Sequence, residues 1–130
     1  MRRTRLRQAI RSPRLLKGLR RSEKGGKIVC SVHSYIAPRA SAHVGELKNC
    51  VGPFYAHLAQ RTQEDILEVE QDIFGASMTA EIARQLKCKA GTVTTCALRR
   101  YRTEAGILIA SYNWHPAEDF HYRMKMSRSI

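Results

Sequence analysis

The chain has 130 residues, of which 23 are Lys or Arg and 11 are Asp or Glu, giving a formal charge of +12. This length and a hydrophobic content of 43% suit one small domain with an extension. The surplus of positive charge favours a polyanionic partner, with nucleic acid as the default. Arginines interrupt the apolar runs near the N-terminus, which excludes a secretory signal or membrane span there.

Residues 1–26 are predicted to form a basic, flexible arm. Residues 1–27 hold 11 basic side chains and one acid, with too few apolar residues to fold alone. Such an arm binds phosphates without sequence preference. Two alternatives stay open, a mitochondrial presequence and a reading frame that starts too early. The expected phosphate contacts are Arg2, Arg3, Arg5, Arg7, Arg11 and Arg14.

Residues 27–61 are predicted to be poorly defined, with one short strand. Gly25 and Gly26 indicate a hinge, and residues 27–36 form a β-prone run bounded by Pro38. No clear period follows as far as residue 60, although residues 54–58 are compatible with a helical turn.

Residues 63–74 are predicted to form a first helix. Its acidic side would face solvent, while Ile66, Leu67, Val69 and Ile73 would face inward. A second helix is predicted over residues 80–87. Thr79 would cap it, and Ile82, Ala83 and Leu86 would share its buried side.

Residues 91–103 are predicted to form a third helix. Val93, Ala97 and Tyr101 recur at intervals of four and define its inner side. Residues 107–114 are β-prone, and residues 120–126 alternate strictly between apolar and basic or imidazole side chains. These two runs are predicted to pair as a hairpin.

The order of elements from residue 78 to residue 126 resembles the winged helix-turn-helix superfamily, especially small regulators of bacteria and phages. The residues that carry the resemblance are Thr79, Ile82, Ala83, Leu86, Thr92, Val93, Ala97, Gly106 and Ile107. The resemblance implies an α+β fold, with a three-helix core and a C-terminal hairpin wing over residues 62–126. Residues 127–130 would form a tail.

The resemblance also implies that the third helix enters the major groove of duplex DNA. The expected function is therefore sequence-specific DNA binding by a cytoplasmic, nucleoid-associated transcriptional regulator, with homodimerisation left open. The alternative is a basic RNA-binding structural component, such as a ribosomal protein of the mitochondrial matrix. The expected DNA contacts are Lys89, Thr92, Thr94, Thr95, Arg99, Arg102, Arg123 and Lys125.

Four residues, Cys30, His33, His43 and Cys50, are of the types that bind zinc. Their spacing and the predicted strand around Cys30 argue against a zinc site, so neither a metal nor a cofactor is expected. No disulfide is expected in a cytosolic chain. No phosphate-binding loop, nucleophile elbow or HExxH motif occurs, so an enzyme is not predicted and no small-molecule substrate is identified.

Overall fold

The computed structural model describes residues 10–22 and 26–128. Five antiparallel strands form one sheet in the order β1-β2-β5-β4-β3, so β1 and β3 are its edges. The strands are β1 (Arg14–Arg21), β2 (Ile28–Ile36), β3 (Glu68–Ser77), β4 (Val93–Thr103) and β5 (Gly106–Pro116). The helical elements are a 3₁₀ segment (Pro38–Asn49), α1 (Phe54–Thr62), α2 (Ala80–Leu86) and a 3₁₀ turn (Ala117–Asp119).

The central strands β2 and β5 are apolar or β-branched over most of their length and are largely buried. Strands covered on both faces lack the simple alternation of a half-exposed strand, because both sets of side chains need apolar surroundings. A tight turn joins β4 to β5, and Gly106 adopts φ +111° there. This backbone conformation favours glycine, since it has no Cβ to clash.

Helical elements cover both faces of the sheet. Ile36 and Ile109 pack beneath the 3₁₀ segment and α1, which are called the roof, and this side of the sheet is called the roof face. On the opposite face, Tyr35, Leu98 and Tyr112 form a second cluster. Helix α2 packs beside it against Trp114. The sheet is therefore the central layer of one body.

The predicted winged helix-turn-helix fold is wrong. Residues 68–74, placed in the first helix, belong to β3, and residues 93–103, placed in the third, form β4. The interval of four that defined the third helix also keeps side chains on one side of a strand, because four is a multiple of two. Val93, Ala97 and Tyr101 satisfy both patterns. An antiparallel five-stranded sheet therefore replaces the three-helix core.

The predicted wing is also wrong. The strand expected at residues 107–114 exists as β5, but it pairs with β2 and β4. Residues 121–128, called the C-terminal segment, are outside any strand and are all exposed. Part of the predicted flexible arm is likewise a strand, since residues 14–21 form β1. Arg2, Arg3, Arg5 and Arg7 lie outside the described residues.

Other local predictions are confirmed. The β-prone run near residue 30 is β2, and the turn at residues 54–58 begins α1. Helix α2 has the predicted cap, in which the backbone N–H of Ile82 donates to Thr79 Oγ1 at 3.2 Å. Ile82, Ala83 and Leu86 are buried as expected. Within residues 10–22 and 26–128, no helix has the length and apolar character needed to cross a membrane.

Candidate functional site

A cavity of about 730 Å³ lies between the roof and the roof face of the sheet. Strands β1, β2, β4 and β5 provide its floor, and residues from both helical elements of the roof line it from above. The volume lies within the range of about 300–1,000 Å³ that is typical of small-molecule sites. The fold therefore has space for a ligand of moderate size.

The lining of the cavity is strongly basic. Four of its residues carry a positive side chain on the roof face or in the roof, and no Asp or Glu belongs to the lining as far as the structure describes it. A concave surface with charges of one sign attracts ligands of the opposite sign. The cavity is therefore suited to an anion. The basic residues are Arg14, Arg20, Lys48 and Arg99, whereas the ammonium group of Lys17 pairs with Glu81 of α2 at 2.9 Å on the opposite face.

Two of these guanidinium groups are oriented by side chains of other strands of the sheet. Arg20 Nη2 donates to Asn113 Oδ1 at 3.3 Å, and Arg99 Nε donates to Gln71 Oε1 at 2.6 Å. A guanidinium group has five N–H donors, so each of these bonds leaves further donors of the group for a ligand. Arginine at such positions can bind a carboxylate or phosphate in a bidentate manner.

The floor also offers hydroxyl groups. The Oγ atoms of Ser34 on β2 and Ser111 on β5 are 2.9 Å apart, and either can donate to the other. Beside them, Gly18 on β1 lacks a side chain, and a Cβ built there would meet no atom within 4 Å. The floor therefore combines groups that can bind polar ligand atoms with open space that a larger residue would fill.

An aromatic pair links the roof to the floor. The rings of Tyr55 on α1 and Tyr101 on β4 are stacked, with centroids 4.3 Å apart and planes inclined by 14°. Both residues line the cavity, together with the partly exposed side chain of Phe54. These rings give the basic cavity an apolar wall, and a ligand with both charged and apolar parts would contact both kinds of surface.

The two parts of the roof are joined through Glu46 on the 3₁₀ segment. Its carboxylate accepts hydrogen bonds from His43 Nδ1 at 2.9 Å and His57 Nε2 at 2.8 Å, and Arg61 Nε lies 2.8 Å away. The bonds from His43 and His57, helped by the charge of Arg61, lower the pKa of Glu46 to about 2. The carboxylate is therefore ionised at neutral pH and holds α1 against the 3₁₀ segment.

A thiol and an imidazole lie beside the floor. Cys30 Sγ is 3.6 Å from His115 Nε2. Burial raises the pKa of the Cys30 thiol to about 11, and burial is also the main cause of the lowered pKa of His115. Both groups are therefore neutral near pH 7, and the thiol is not an activated nucleophile.

The four residues considered for zinc are dispersed. Cys30 and His33 are three positions apart on β2, so they lie on opposite faces of the sheet. His43 bonds to Glu46, and Cys50 follows the 3₁₀ segment. In the described part of the chain, no group of three or more His, Cys, Asp or Glu residues could hold a metal ion.

The residues predicted to contact DNA are distributed over several surfaces. Thr94 is buried, and its Oγ1 donates to the carbonyl of His115 at 2.6 Å. The side chain of Thr92 donates to the carbonyl of Lys89. Thr95 and Arg102 lie on β4, and Arg102 pairs with Glu70 at 3.2 Å.

The remaining predicted residues also lie away from any helix. Arg123 and Lys125 are exposed on the C-terminal segment, and Arg11 is exposed before β1. Arg14 and Arg99, which were predicted to bind phosphates or bases, are instead both at the cavity. DNA contact by these side chains remains a prediction. The recognition helix on which it was based does not exist, because residues 93–103 form β4.

Sequence reasoning missed the cavity because its residues come from segments far apart in the chain. One local signal was present in β1, where Arg14, Leu16, Gly18 and Arg20 are spaced by two. This spacing places them on one side of a strand. A glycine inside a strand often marks the close approach of a ligand or another backbone.

No protein-family model matches the sequence, and no curated protein matches it. Solved structures do resemble the fold. A candidate transcriptional regulator from Streptomyces coelicolor superposes with a TM-score of 0.78 at 15% identity, covering 97% of this chain and 86% of that one. The ligand-binding domain of a candidate GntR-family transcriptional regulator from Bordetella bronchiseptica gives 0.73 at 12% identity, covering 95% and 80%.

A GntR-family transcriptional regulator from Enterococcus faecalis gives a TM-score of 0.72 at 16% identity, covering 88% of this chain and 81% of that one. The chain shares its fold with these regulator structures. At such low identities the likeness establishes the fold alone. It also overturns the resemblance to winged helix-turn-helix proteins, because the matching architecture is mostly sheet.

Proposed function

We propose that this domain binds a small anionic molecule in the cavity and is the ligand-sensing part of a transcriptional regulator. The observation that carries the proposal is the basic lining, in which four cationic side chains, Arg14, Arg20, Lys48 and Arg99, occur without an acid among the described lining residues. The fold supports it, since one similar structure is described as a ligand-binding domain and others as transcriptional regulators. Direct DNA binding by this domain is not proposed.

The proposed ligand carries a carboxylate or phosphate group and an apolar or polar body. The anionic group is bound by Arg20 and Arg99, because charge-assisted hydrogen bonds are about twice as strong as neutral ones. The Ser34 and Ser111 hydroxyls then bind a polar substituent, while the stacked tyrosines contact the body of the ligand. A ligand that contacts both the floor and the roof stabilises the conformation in which the roof is packed against the floor.

We propose binding rather than catalysis at this site. The Cys30 thiol is protonated near neutral pH, because burial raises its pKa to about 11. The cavity lining, within the described ranges, provides no carboxylate that could act as a general base. A regulator that senses a small molecule is consistent with the cytoplasmic location expected from the sequence.

The proposal is tested by titrating the domain with a panel of small carboxylates and phosphate monoesters, including citrate and glucose 6-phosphate, in calorimetry. At least one anion is expected to bind. Arg20→Ala and Arg99→Ala should each weaken it roughly 10- to 100-fold, the effect of losing a hydrogen bond to a charged group. Gly18→Leu should also reduce binding, because its side chain enters the cavity.

The matched control is the pair Arg84→Ala and Lys89→Ala, two exposed basic residues outside the cavity lining. These substitutions remove the same charge and should leave the Kd of the anion unchanged. Equal weakening by the control and cavity variants would refute the cavity as the site. Binding of only neutral compounds would refute the anionic class of ligand.

A further inference from the structure

The arginines of the cavity lining differ from the other arginines in the kind of group that they contact. Arg14 Nη1 donates to the backbone carbonyl of Ser41 at 3.1 Å, and Arg20 and Arg99 donate to side-chain amide oxygens. All three therefore bond to uncharged oxygens. Elsewhere in the described part of the chain, the arginines that bond to a side chain all pair with a carboxylate. They are Arg39 with Glu64, Arg61 with Glu46, Arg100 with Asp72, and Arg102 with Glu70.

Strands β3 and β4 show this difference at adjacent positions. Arg99 and Arg100 lie on opposite faces of β4, as neighbours in a strand do. On the face away from the cavity, Arg100 pairs with Asp72 at 3.1 Å. On the roof face, Arg99 Nε donates to Gln71 Oε1 at 2.6 Å. An acid on β3 therefore neutralises Arg100, whereas the amide of Gln71 holds Arg99 and leaves its charge uncompensated.

Asn113 holds Arg20 in the same way, but there the fold itself requires an amide. The side chain of Asn113 is buried, and its Nδ2 donates to the backbone carbonyls of Ala97 at 3.2 Å and Ser111 at 3.3 Å. These two bonds fix the amide, so Oδ1 accepts from Arg20 Nη2 at 3.3 Å. An ionised aspartate has no donor for the two carbonyls. The partner of Arg20 is therefore neutral for a structural reason.

No comparable constraint applies to Gln71. Its side chain is exposed on the edge strand β3, and its bond to Arg99 uses only the amide oxygen. A glutamate has the same shape and would accept the same bond with a full negative charge. Acids at positions 68, 70 and 72 show that this strand accommodates carboxylates readily. The neutrality of residue 71 therefore has no structural explanation in the sheet.

The two guanidinium groups act on the same part of the floor. His115 follows Asn113 by two positions on β5 and lies on the same face, and its Nε2 is 3.6 Å from Cys30 Sγ. Burial is the main influence on the pKa of both Cys30 and His115, and the charges of Arg20 and Arg99 act on both as well. Because the thiol and the imidazole are neutral near pH 7, two positive charges remain, without an acid in the described lining.

We infer that Gln71 determines the charge selectivity of the cavity, so that the cavity selects a dianionic group over a monoanionic one. This inference rests on the proposed binding of an anion in the cavity. Gln71 holds Arg99 without neutralising it, and the site keeps two positive charges for the ligand. A phosphate monoester or a small dicarboxylate offsets both charges, whereas a monoanion leaves one of them uncompensated. Gln71 acts through Arg99 and is therefore a positioning residue.

The charge selectivity is tested by NMR titration of the domain at pH 8 with two matched pairs of small probes. Methyl phosphate is compared with methyl sulfate, which has the same shape and one negative charge fewer, and malonate is compared with malonamate. At least one dianion is expected to bind at least roughly tenfold more tightly than its matched monoanion. The pair that shows this difference identifies phosphate or dicarboxylate as the anionic group. Equal Kd values within both pairs would overturn the inference.

The role of Gln71 is tested by two substitutions at that position. In Gln71→Glu, the new carboxylate pairs with Arg99, so the Kd of the preferred dianion should rise at least roughly tenfold. The preference over the matched monoanion should also decrease. Gln71→Ala removes the hydrogen bond without adding a charge, and it should raise the Kd less. A merely structural role would make Gln71→Ala at least as harmful as Gln71→Glu and would leave the charge selectivity unchanged.

The matched control is Gln60→Glu, the same substitution at an exposed position of α1 outside the cavity lining. At physiological ionic strength, salt screens a distant exposed charge, so this variant should keep the Kd values and the selectivity of the unmodified domain. Equal weakening by Gln60→Glu and Gln71→Glu would reduce the effect to net charge and would overturn the inference.

The results separate this inference from the proposed function. If no anion binds to the unmodified domain, the proposed function fails and the inference fails with it. If an anion binds and Arg99→Ala weakens its binding, but Gln71→Glu does not, only the inference is overturned. It is also overturned if a larger anion binds in the cavity while none of the four small probes does.

Discussion

Thr94 illustrates how one residue supports two different interpretations. Its hydroxyl suggested a contact with a base edge when residues 91–103 were taken as a helix. The structure buries the side chain, and Oγ1 donates to the carbonyl of His115 at 2.6 Å. Threonine is compatible with both settings, since it is polar enough for an exposed helix and β-branched enough for a strand. The residue type alone could not separate them.

The buried hydrogen bond of Thr94 gives a stability prediction. Thr94→Val keeps the shape of the side chain but leaves the His115 carbonyl without this donor. The free energy of unfolding is expected to fall by about 1–3 kcal/mol, the cost of an unsatisfied buried polar group. Urea denaturation measures it. Thr95→Val, at the neighbouring and less buried position, should change the value by under about 0.5 kcal/mol. Equal losses would contradict a specific role for the Thr94 hydroxyl.

At the level of elements, β5 and α2 could be predicted because the local sequence pattern of each fits only one type of secondary structure. Residues 107–114 are apolar and β-prone, and α2 has a capping threonine followed by apolar residues at helical spacing. Strand β3 also contained its own signal, since the acids at positions 68, 70 and 72 alternate with Val69, Gln71 and Ile73. The density of acids was interpreted instead as the solvated face of a helix.

Strand β4 was harder to predict. Spacings of four occur on one side of both a helix and a strand, so they cannot discriminate between them. Two signals favoured the strand. Val93, Thr94 and Thr95 are consecutive β-branched residues, which fit a pleated sheet better than a helix. Cys96 and Ala97 are both buried but lie on opposite faces of the sheet, as adjacent residues of a strand must.

The hydrogen bonds of Glu46 in the roof predict that the stability of the fold depends on pH. Its pKa is lowered from an ordinary value of 4.5 to about 2 in the folded chain, chiefly by hydrogen bonds from His43 and His57. A carboxyl group with a lowered pKa stabilises the fold above its ordinary pKa, and this contribution disappears as the pH falls toward the folded value. Stability should therefore decline between about pH 4.5 and pH 2.

Glu46→Gln should remove the part of the decline in stability at acid pH that is due to this carboxylate. It should also reduce stability at neutral pH. Thermal unfolding followed from pH 7 to pH 2 measures both effects. Glu104→Gln, in the exposed turn between β4 and β5, is the control and should keep the original profile. A Glu46→Gln variant whose pH profile matched that of the unmodified chain would show that the joined roof is not held by this carboxylate.

At the level of the whole molecule, the charge of +12 has a more specific explanation than a nucleic acid partner. Four of the basic side chains, Arg14, Arg20, Lys48 and Arg99, line one cavity. Arg123 and Lys125 lie on the exposed C-terminal segment. Net charge indicates the sign of the charge on a partner but not the size of that partner. A small anion and a nucleic acid both carry the negative charge that this chain favours.

The cavity itself could not be predicted from local sequence. Its lining comes from β1, β2, β4, β5 and both parts of the roof. Only the pairing of strands distant in the chain brings Arg20 on β1 and Arg99 on β4 to the same site. Residues 38–49 form half of the roof and show no clear period in the sequence, because a 3₁₀ helix lacks the 3.6-residue repeat of an amphipathic α-helix.

The most direct test of ligand binding in this cavity is a crystal structure of the domain with the anion selected by calorimetry. The anionic group is expected within hydrogen-bonding distance of the Arg20 and Arg99 guanidinium groups, between the floor and the roof. Its body should contact Tyr55 or Tyr101. A complex with the anion bound elsewhere on the surface, and the cavity without it, would contradict the central claim.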